Sequence, residues 1–364
     1  MASVWGLPHP LLAPPGTRLA LMGNEAIARG AVEAGICIAT GYPGTPSSEV
    51  IMTLQKFGEK LGIYVEWAVN ERVAFEIGYG AAVGGARALV TMKAPGLNVA
   101  ADPVVSSAYG GVDGGLVVLV ADDPGPHTTQ TEQDSRWFAE MAKLPVVTPS
   151  DPQEAKEFTV KSFVLSEELR LPVILRTTTR VNHTVGEVVL GRVAKKVCFR
   201  GIVKDPPRFV RAGMVWNRDR HRWLNKQLEK AEGVAGKLGL NRVEGEGDIC
   251  VVVEGVAYCY AVEVLEKLGV KKRARIVKLG LLYPQPRNFL SRSLARCRRV
   301  VVLEELDPYL ERCVKKILYD IGEQVEVLGK EEGLLPLVGE LTPSNVLQAL
   351  VKALGLGAPE IHHV

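Results

Sequence analysis

Val65-Glu66-Trp67-Ala68-Val69-Asn70-Glu71-Arg72-Val73-Ala74-Phe75-Glu76-Ile77-Gly78-Tyr79-Gly80-Ala81-Ala82 runs from a short extended stretch through a tight turn into a helix with a carboxylate in its first turn. Asn70 suits the N-cap, where a side-chain oxygen accepts from a free helix amide. From Glu71 onward, Ala74, Phe75, Gly78, Ala82 and Gly85 share one face at helical spacing. Glycine inside a helix costs about 1 kcal/mol relative to alanine, so this face predicts a close neighbour. Spacing alone supports two readings equally: a tightly packed helix capped by its glutamate, or a glutamate presented to a ligand.

Working outward, strands are predicted at residues 18–22, 36–40, 63–67, 88–92, 116–121, 145–147 and 173–176. Helices over 24–34 (capped by Asn24), 47–60, from 71, 98–108, 137–143 and 152–168 alternate with them. The strands are nearly continuous apolar runs, as in a parallel sheet covered on both faces. The alternation predicts an α/β domain over 18–190, after a Pro-rich arm at 1–17. Residues 191–247 are basic and weakly periodic, predicting a linker with one helix near 222–237. A second α/β unit follows over 248–364, with strands at 249–253, 275–279, 300–304 and 325–328.

A net charge of +3 over 364 residues gives no global pull on nucleic acid or a membrane surface, and neither is expected as a partner. No apolar run reaches membrane-spanning length. The six cysteines, at 37, 198, 250, 259, 297 and 313, form no CxxC pair. No zinc ribbon or iron–sulfur cluster is therefore expected on this chain, no metal site is predicted, and a reducing, cytoplasmic setting is the default. P-loop, GxGxxG and GxSxG patterns are absent.

Ligands in such folds bind at the carboxyl ends of the strands, where four loops compete. The first, 41–49, is a Pro-Gly turn leading into a helix N-terminus. The second carries Glu71. The third, 93–98, follows an apolar strand and contains Lys93, Pro95, Gly96 and Asn98. The fourth, 122–136, is long and polar, and long irregular loops in compact domains are usually functional. It holds His127, which reads as either a surface histidine or a functional one, and Arg136, which reads as a free cation or as a partner of Asp134 or Glu132.

The stretches GYPGTPSSEV (41–50), VEWAVNERVAFEIGYGAAVGGARALVTMK (65–93), GLNVAADP (96–103), ADDPGPHTTQTEQDSR (121–136) and LRTTTRVNHT (175–184) occur in this order. Together they resemble the alpha subunits of indolepyruvate:ferredoxin oxidoreductases, within the 2-oxoacid:ferredoxin oxidoreductases. The resemblance implies a thiamine-diphosphate pyrimidine-binding fold followed by a transketolase C-terminal-like α/β domain. It makes Glu71 the catalytic acid that hydrogen-bonds the aminopyrimidine ring, with Pro95, Gly96 and Asn98 lining the cofactor. It turns Thr45 and Pro46 toward the substrate. Glu66 and Glu76 are poorer candidates for the acid, one on the strand and the other off the small-residue face.

Pyruvate-type members carry an arginine after the strand that ends here at Ala121, where this chain has Asp122-Asp123. Lys93, His127 and Arg136 are the candidates for the cation that then holds a substrate carboxylate, and the change fits a bulkier aryl 2-oxoacid. The family's GDG-type diphosphate site and its clustered cysteines are absent from the sequence. The resemblance therefore implies that Mg²⁺ and the iron–sulfur clusters sit on partner chains, with ferredoxin and coenzyme A as further partners. The expected state is a homo- or hetero-oligomer containing a split or truncated subunit, inactive alone. A non-oxidative 2-oxoacid decarboxylase subunit and a non-catalytic scaffold subunit are the alternatives.

Overall fold

The computed structural model describes residues 9–196, 198–201, 204–210 and 212–356; the remainder of the predicted arm, residues 1–8, lies outside them. The strands, in chain order, are β1 (Arg18–Met22), β2 (Ile38–Gly41), β3 (Tyr64–Trp67), β4 (Ala88–Lys93), β5 (Leu116–Asp122), β6 (Val146–Val147) and β7 (Val173–Thr178). They continue with β8 (Val185–Val189), β9 (Arg242–Glu244), β10 (Ile249–Glu254), β11 (Ala274–Leu279), β12 (Leu281–Tyr283), β13 (Arg299–Leu303) and β14 (Glu326–Leu328). One sheet runs β12-β6-β7-β5-β4-β2-β3 and is parallel except for its β12–β6 edge; the second runs β14-β13-β10-β11-β9. The apolar runs read as doubly covered strands are so: every residue of β5 and β7 is buried.

The chain departs from the sequence reading in six places. β1 leaves the main sheet and pairs antiparallel with β8 as a separate ribbon. The helix expected over 47–60 breaks into Ser48–Gln55 and Gly58–Leu61, and the turn expected at 93–98 is helical, Ala94–Val99, followed by Ala101–Gly110. Asn24 does not cap its helix. It lies one residue inside Gly23–Glu33, buried, with its side chain turned to Pro46. The 191–247 segment is more than a linker: its helix extends over Met214–Lys237 and β9 joins the second sheet. Finally, β12 leaves the second unit to pair with β6 of the first.

Four cysteines are paired, Cys37 with Cys198 and Cys250 with Cys297, with Cα atoms 5.2 and 5.9 Å apart. These four are therefore not the free thiols that their scattered spacing suggested, since connectivity between distant cysteines is not encoded in spacing. Among the described residues no helix is long and apolar enough to cross a membrane.

The carboxyl ends of β5 and β10, and the chain leaving β13, meet at a buried charged seam beside Arg176 of β7. Arg176 Nε donates to Asp122 at 2.8 Å and its Nη1 to Glu254 at 3.0 and 3.1 Å. Arg136 Nη1 donates to Glu304 at 2.7 Å, while its Nη2 reaches the carbonyls of Glu305 and Asp307. Carboxylates outnumber guanidinium groups here. Burial pushes Asp122 up to about 6 and Glu304 and Glu305 up to about 7. Asp122 Oδ1 and Glu305 Oε1 have no hydrogen-bond partner among the described residues.

Between the ordinary carboxyl values, 3.8 and 4.5, and these raised ones, the folded chain keeps protons that the unfolded chain has released. Raising the pH through that window therefore favours unfolding. His9 opposes the trend around pH 6, because burial followed by Lys56 lowers its pKa, but it is one group against three. Thermal melts should accordingly show a lower Tm at pH 8 than at pH 5.5; a Tm that rises over this range contradicts the seam's protonation.

Candidate active site

Glu71 opens the helix Glu71–Val83, and Asn70 caps it as predicted, its side chain accepting from Val73 N at 2.9 Å. The small-residue face packs on the sheet. A Cβ on Gly78 would stand 2.4 Å from Val90 Cγ2, so glycine here permits helix and strand to touch. Thr40 Oγ1 on β2 donates to Ala74 O at 2.7 Å, fixing the same contact. Gly85 is not on that face; it follows the helix end with φ +90°.

The Glu71 side chain turns the other way, against Gly96. Only 8 % of the residue is exposed, and a Cβ on Gly96 would fall 2.6 Å from Glu71 Cγ and Oε1. No described residue hydrogen-bonds or ion-pairs with the Glu71 carboxylate. A buried carboxylate normally finds a partner, so this one suits a donor supplied from outside the chain. Glu66 and Glu76 differ: Glu66 accepts from Tyr64 Oη at 2.5 Å, and Glu76 pairs with Arg72 on an exposed face.

Loops one, three and four converge on Thr128. Its Oγ1 donates to Thr45 O at 3.1 Å, and its carbonyl lies 3.5 Å from Lys93 Nζ. The Lys93 stem runs along Gly44, where a Cβ would meet Lys93 Cγ at 3.1 Å. Asp123 shapes the fourth loop by accepting from Thr128 N at 2.8 Å, Thr129 Oγ1 at 3.2 Å and Thr179 Oγ1 at 2.5 Å. Burial works to raise the Asp123 pKa, but these hydrogen bonds outweigh it and hold the carboxyl below its usual range. Pro46 is fixed from behind, its carbonyl accepting from Asn24 Nδ2 at 2.7 Å and Asn182 Nδ2 at 3.2 Å.

Beside this convergence lies a cavity of about 550 Å³, walled by Thr45, His127, Thr128, Arg180, His183 and Glu340 among others. The fold thus gathers Glu71 with Gly96, and Thr45, Lys93 and His127 around Thr128. Three predicted residues stand differently. Pro95 sits in the first turn of the helix Ala94–Val99. Asn98 is exposed, and its amide donates to Gln133 at 2.9 Å. Arg136 is withdrawn as a substrate cation: its side chain is fully buried, clamped by Asp134, Glu254 and Glu304. Lys93, by contrast, has no carboxylate partner among the described residues.

Sequence reasoning missed Arg180, His183 and Glu340. The first two lie within LRTTTRVNHT, and the motif was the available signal. Nothing in the sequence brings Glu340, 160 residues further on, beside Arg180.

Residues 29–206 match the family model described as Pyruvate flavodoxin/ferredoxin oxidoreductase, thiamine diP-bdg. The indolepyruvate oxidoreductase subunit IorA of Thermococcus kodakarensis is 42 % identical over 352 residues, which is 95 % of this chain and 54 % of that protein. Among solved structures, the 2-oxoglutarate:ferredoxin oxidoreductase from Magnetococcus marinus, with 2-oxoglutarate, coenzyme A and succinyl-CoA bound, aligns at a TM-score of 0.72. The identity is 16 %, covering 92 % of this chain and 65 % of that one. A split-gene transketolase, an inactive β4 tetramer, aligns at 0.59 with 18 % identity, covering 93 % and 99 %. These two share the fold: a pyrimidine-binding α/β domain followed by a transketolase C-terminal-like domain.

Residues 29–206 carry the thiamine-diphosphate-binding domain of the pyruvate flavodoxin/ferredoxin oxidoreductase family. The chain is similar to the indolepyruvate oxidoreductase alpha subunits, and it spans about half the length of the curated relatives it matches.

Proposed function

We propose that this chain supplies the acid-bearing half of an active site that oxidatively decarboxylates an aryl 2-oxoacid of the indolepyruvate type to acyl-CoA and carbon dioxide. The two electrons pass to ferredoxin through iron–sulfur clusters on a partner. The observation that carries this reading is Glu71, a buried residue whose carboxylate has no hydrogen-bond or ion-pair partner among the described residues and is backed by Gly96. Thiamine diphosphate, when bound, supplies the carbon nucleophile and electron sink for the reaction. Glu71 then holds the proton exchanged with the aminopyrimidine ring nitrogen, and Gly96 leaves room for the ring to reach it. Thr45 and Pro46 face the substrate, with Lys93 and His127 nearby.

The diphosphate and its Mg²⁺ are assigned to a GDG-type domain on another chain or segment, so this chain by itself should not turn over. Val69, Val99 and Tyr42, adjoining the Asn70 cap, the Ala94–Val99 helix and the first loop, are exposed apolar residues suited to being covered by that domain. A cytoplasmic setting, where ferredoxin and coenzyme A are available, goes with the same reading.

The test is to isolate the chain with its partners from its host and assay dye reduction that requires both 2-oxoacid and coenzyme A. Indolepyruvate should be preferred to pyruvate and to 2-oxoglutarate. Carbon dioxide release without dye reduction would instead make it a non-oxidative decarboxylase subunit; no turnover of any 2-oxoacid would make it a scaffold.

A further inference from the structure

Arg180 and Glu340 face each other across the mouth of the cavity, one from the first domain and one from the irregular stretch after β14. Arg180 Nε donates to Glu340 Oε1 at 2.8 Å and Nη2 to Oε2 at 2.7 Å, a two-pronged clamp. His127 Nε2 lies 3.9 Å from the same Oε2. A guanidinium fork with a flanking imidazole is a carboxylate-recognition geometry. It opens on the cavity that Thr45 walls. The Arg180 side chain is 49 % exposed and Glu340 17 %, so the cation reaches solvent and the acid lies against it.

Glu340 belongs to no helix or strand. Its neighbours hold it in place: Gly339 N donates to Glu132 of the polar loop at 2.9 Å, and Leu341 is buried. The acid can therefore swing away from Arg180 while its backbone stays anchored. Asp122 and Asp123, the residues at the place where an arginine was missed in the sequence, are committed to the seam and to the loop. The cationic requirement is thus displaced by one strand, to the residues that follow β7.

Resting on the proposed function, we infer that Arg180, flanked by His127, is the seat for the carboxylate of the incoming 2-oxoacid, and that Glu340 is an internal carboxylate which occupies this seat until substrate displaces it. An internal occupant lowers apparent affinity by the fraction of time it holds the site. Removing its charge should therefore strengthen substrate binding. An ordinary interdomain salt bridge predicts no such gain.

The measurement is steady-state kinetics of 2-oxoacid-dependent dye reduction by the assembled complex. E340Q should lower the KM for the 2-oxoacid by about three- to tenfold, with the KM for coenzyme A unchanged. R180M should raise the 2-oxoacid KM by about tenfold or more, the loss of a charge-assisted pair. Both variants should melt close to the wild type, since a partly exposed pair contributes little to stability. A 2-oxoacid KM in E340Q equal to or above wild type, or an unmoved KM in R180M, overturns the assignment. A wild-type complex without 2-oxoacid turnover strikes the proposed function instead, so the two failures are distinguishable.

Discussion

Glu71→Gln in the assembled complex should lower 2-oxoacid turnover by roughly 10²- to 10⁴-fold, the range of a positioned proton-transfer group, while leaving assembly and substrate KM nearly unchanged. The amide keeps the shape that packs against Gly96 and still offers an oxygen, but it cannot take up or return a proton. Because the carboxylate has no partner among the described residues, its neutralisation leaves none of them without one. What is lost structurally is the favourable interaction of a negative charge with the helix N-terminus, about 0.3–1 kcal/mol. Turnover in single-cycle and steady-state assays, set beside size-exclusion profiles and thermal melts, separates the two effects. Wild-type turnover in Glu71→Gln removes the role assigned to this residue.

Arg136→Met should have the largest effect on stability, about 3–5 kcal/mol, the cost of breaking a buried ion pair from one side. The guanidinium satisfies Asp134, Glu304 and the carbonyls of Glu305 and Asp307 at once. Methionine fills much of the volume but removes every guanidinium donor, leaving Asp134 and Glu304 with backbone amides alone and no countercharge from this residue. Lysine should rescue little, because a single ammonium cannot reproduce a planar fork reaching acceptors on both domains. Urea unfolding followed by circular dichroism reads the loss as a lower midpoint. A midpoint equal to wild type would show that the seam does not hold the domains together.

Much of the first domain was legible because its central strands are buried on both faces and helices such as Glu71–Val83 and Pro152–Leu169 begin at side-chain caps. Asn70 is the clearest case, with a side-chain acceptor placed immediately before a helical pattern. Asn24 shows the limit of the same rule: its side chain is drawn into contacts with Pro46 and Asn182 that no local signal encodes. Gly96 was expected to line the cofactor, and in the structure the Glu71 side chain lies against it. Arg136 had both of its eventual descriptions open in the sequence. The choice depended on Glu254 and Glu304, more than a hundred residues away. The disulfides, β12 and Glu340 were invisible for the same reason: each is a long-range pairing with no periodicity of its own.

The strand that Leu281–Tyr283 lends to the first sheet has a practical corollary. A fragment stopping at residue 190, the boundary expected from the sequence, would leave β6, two buried residues long, as a bare margin open to pairing with whatever chain it meets. The two units are interlaced rather than strung together, so neither can be exchanged for that of a relative without also replacing the other's border.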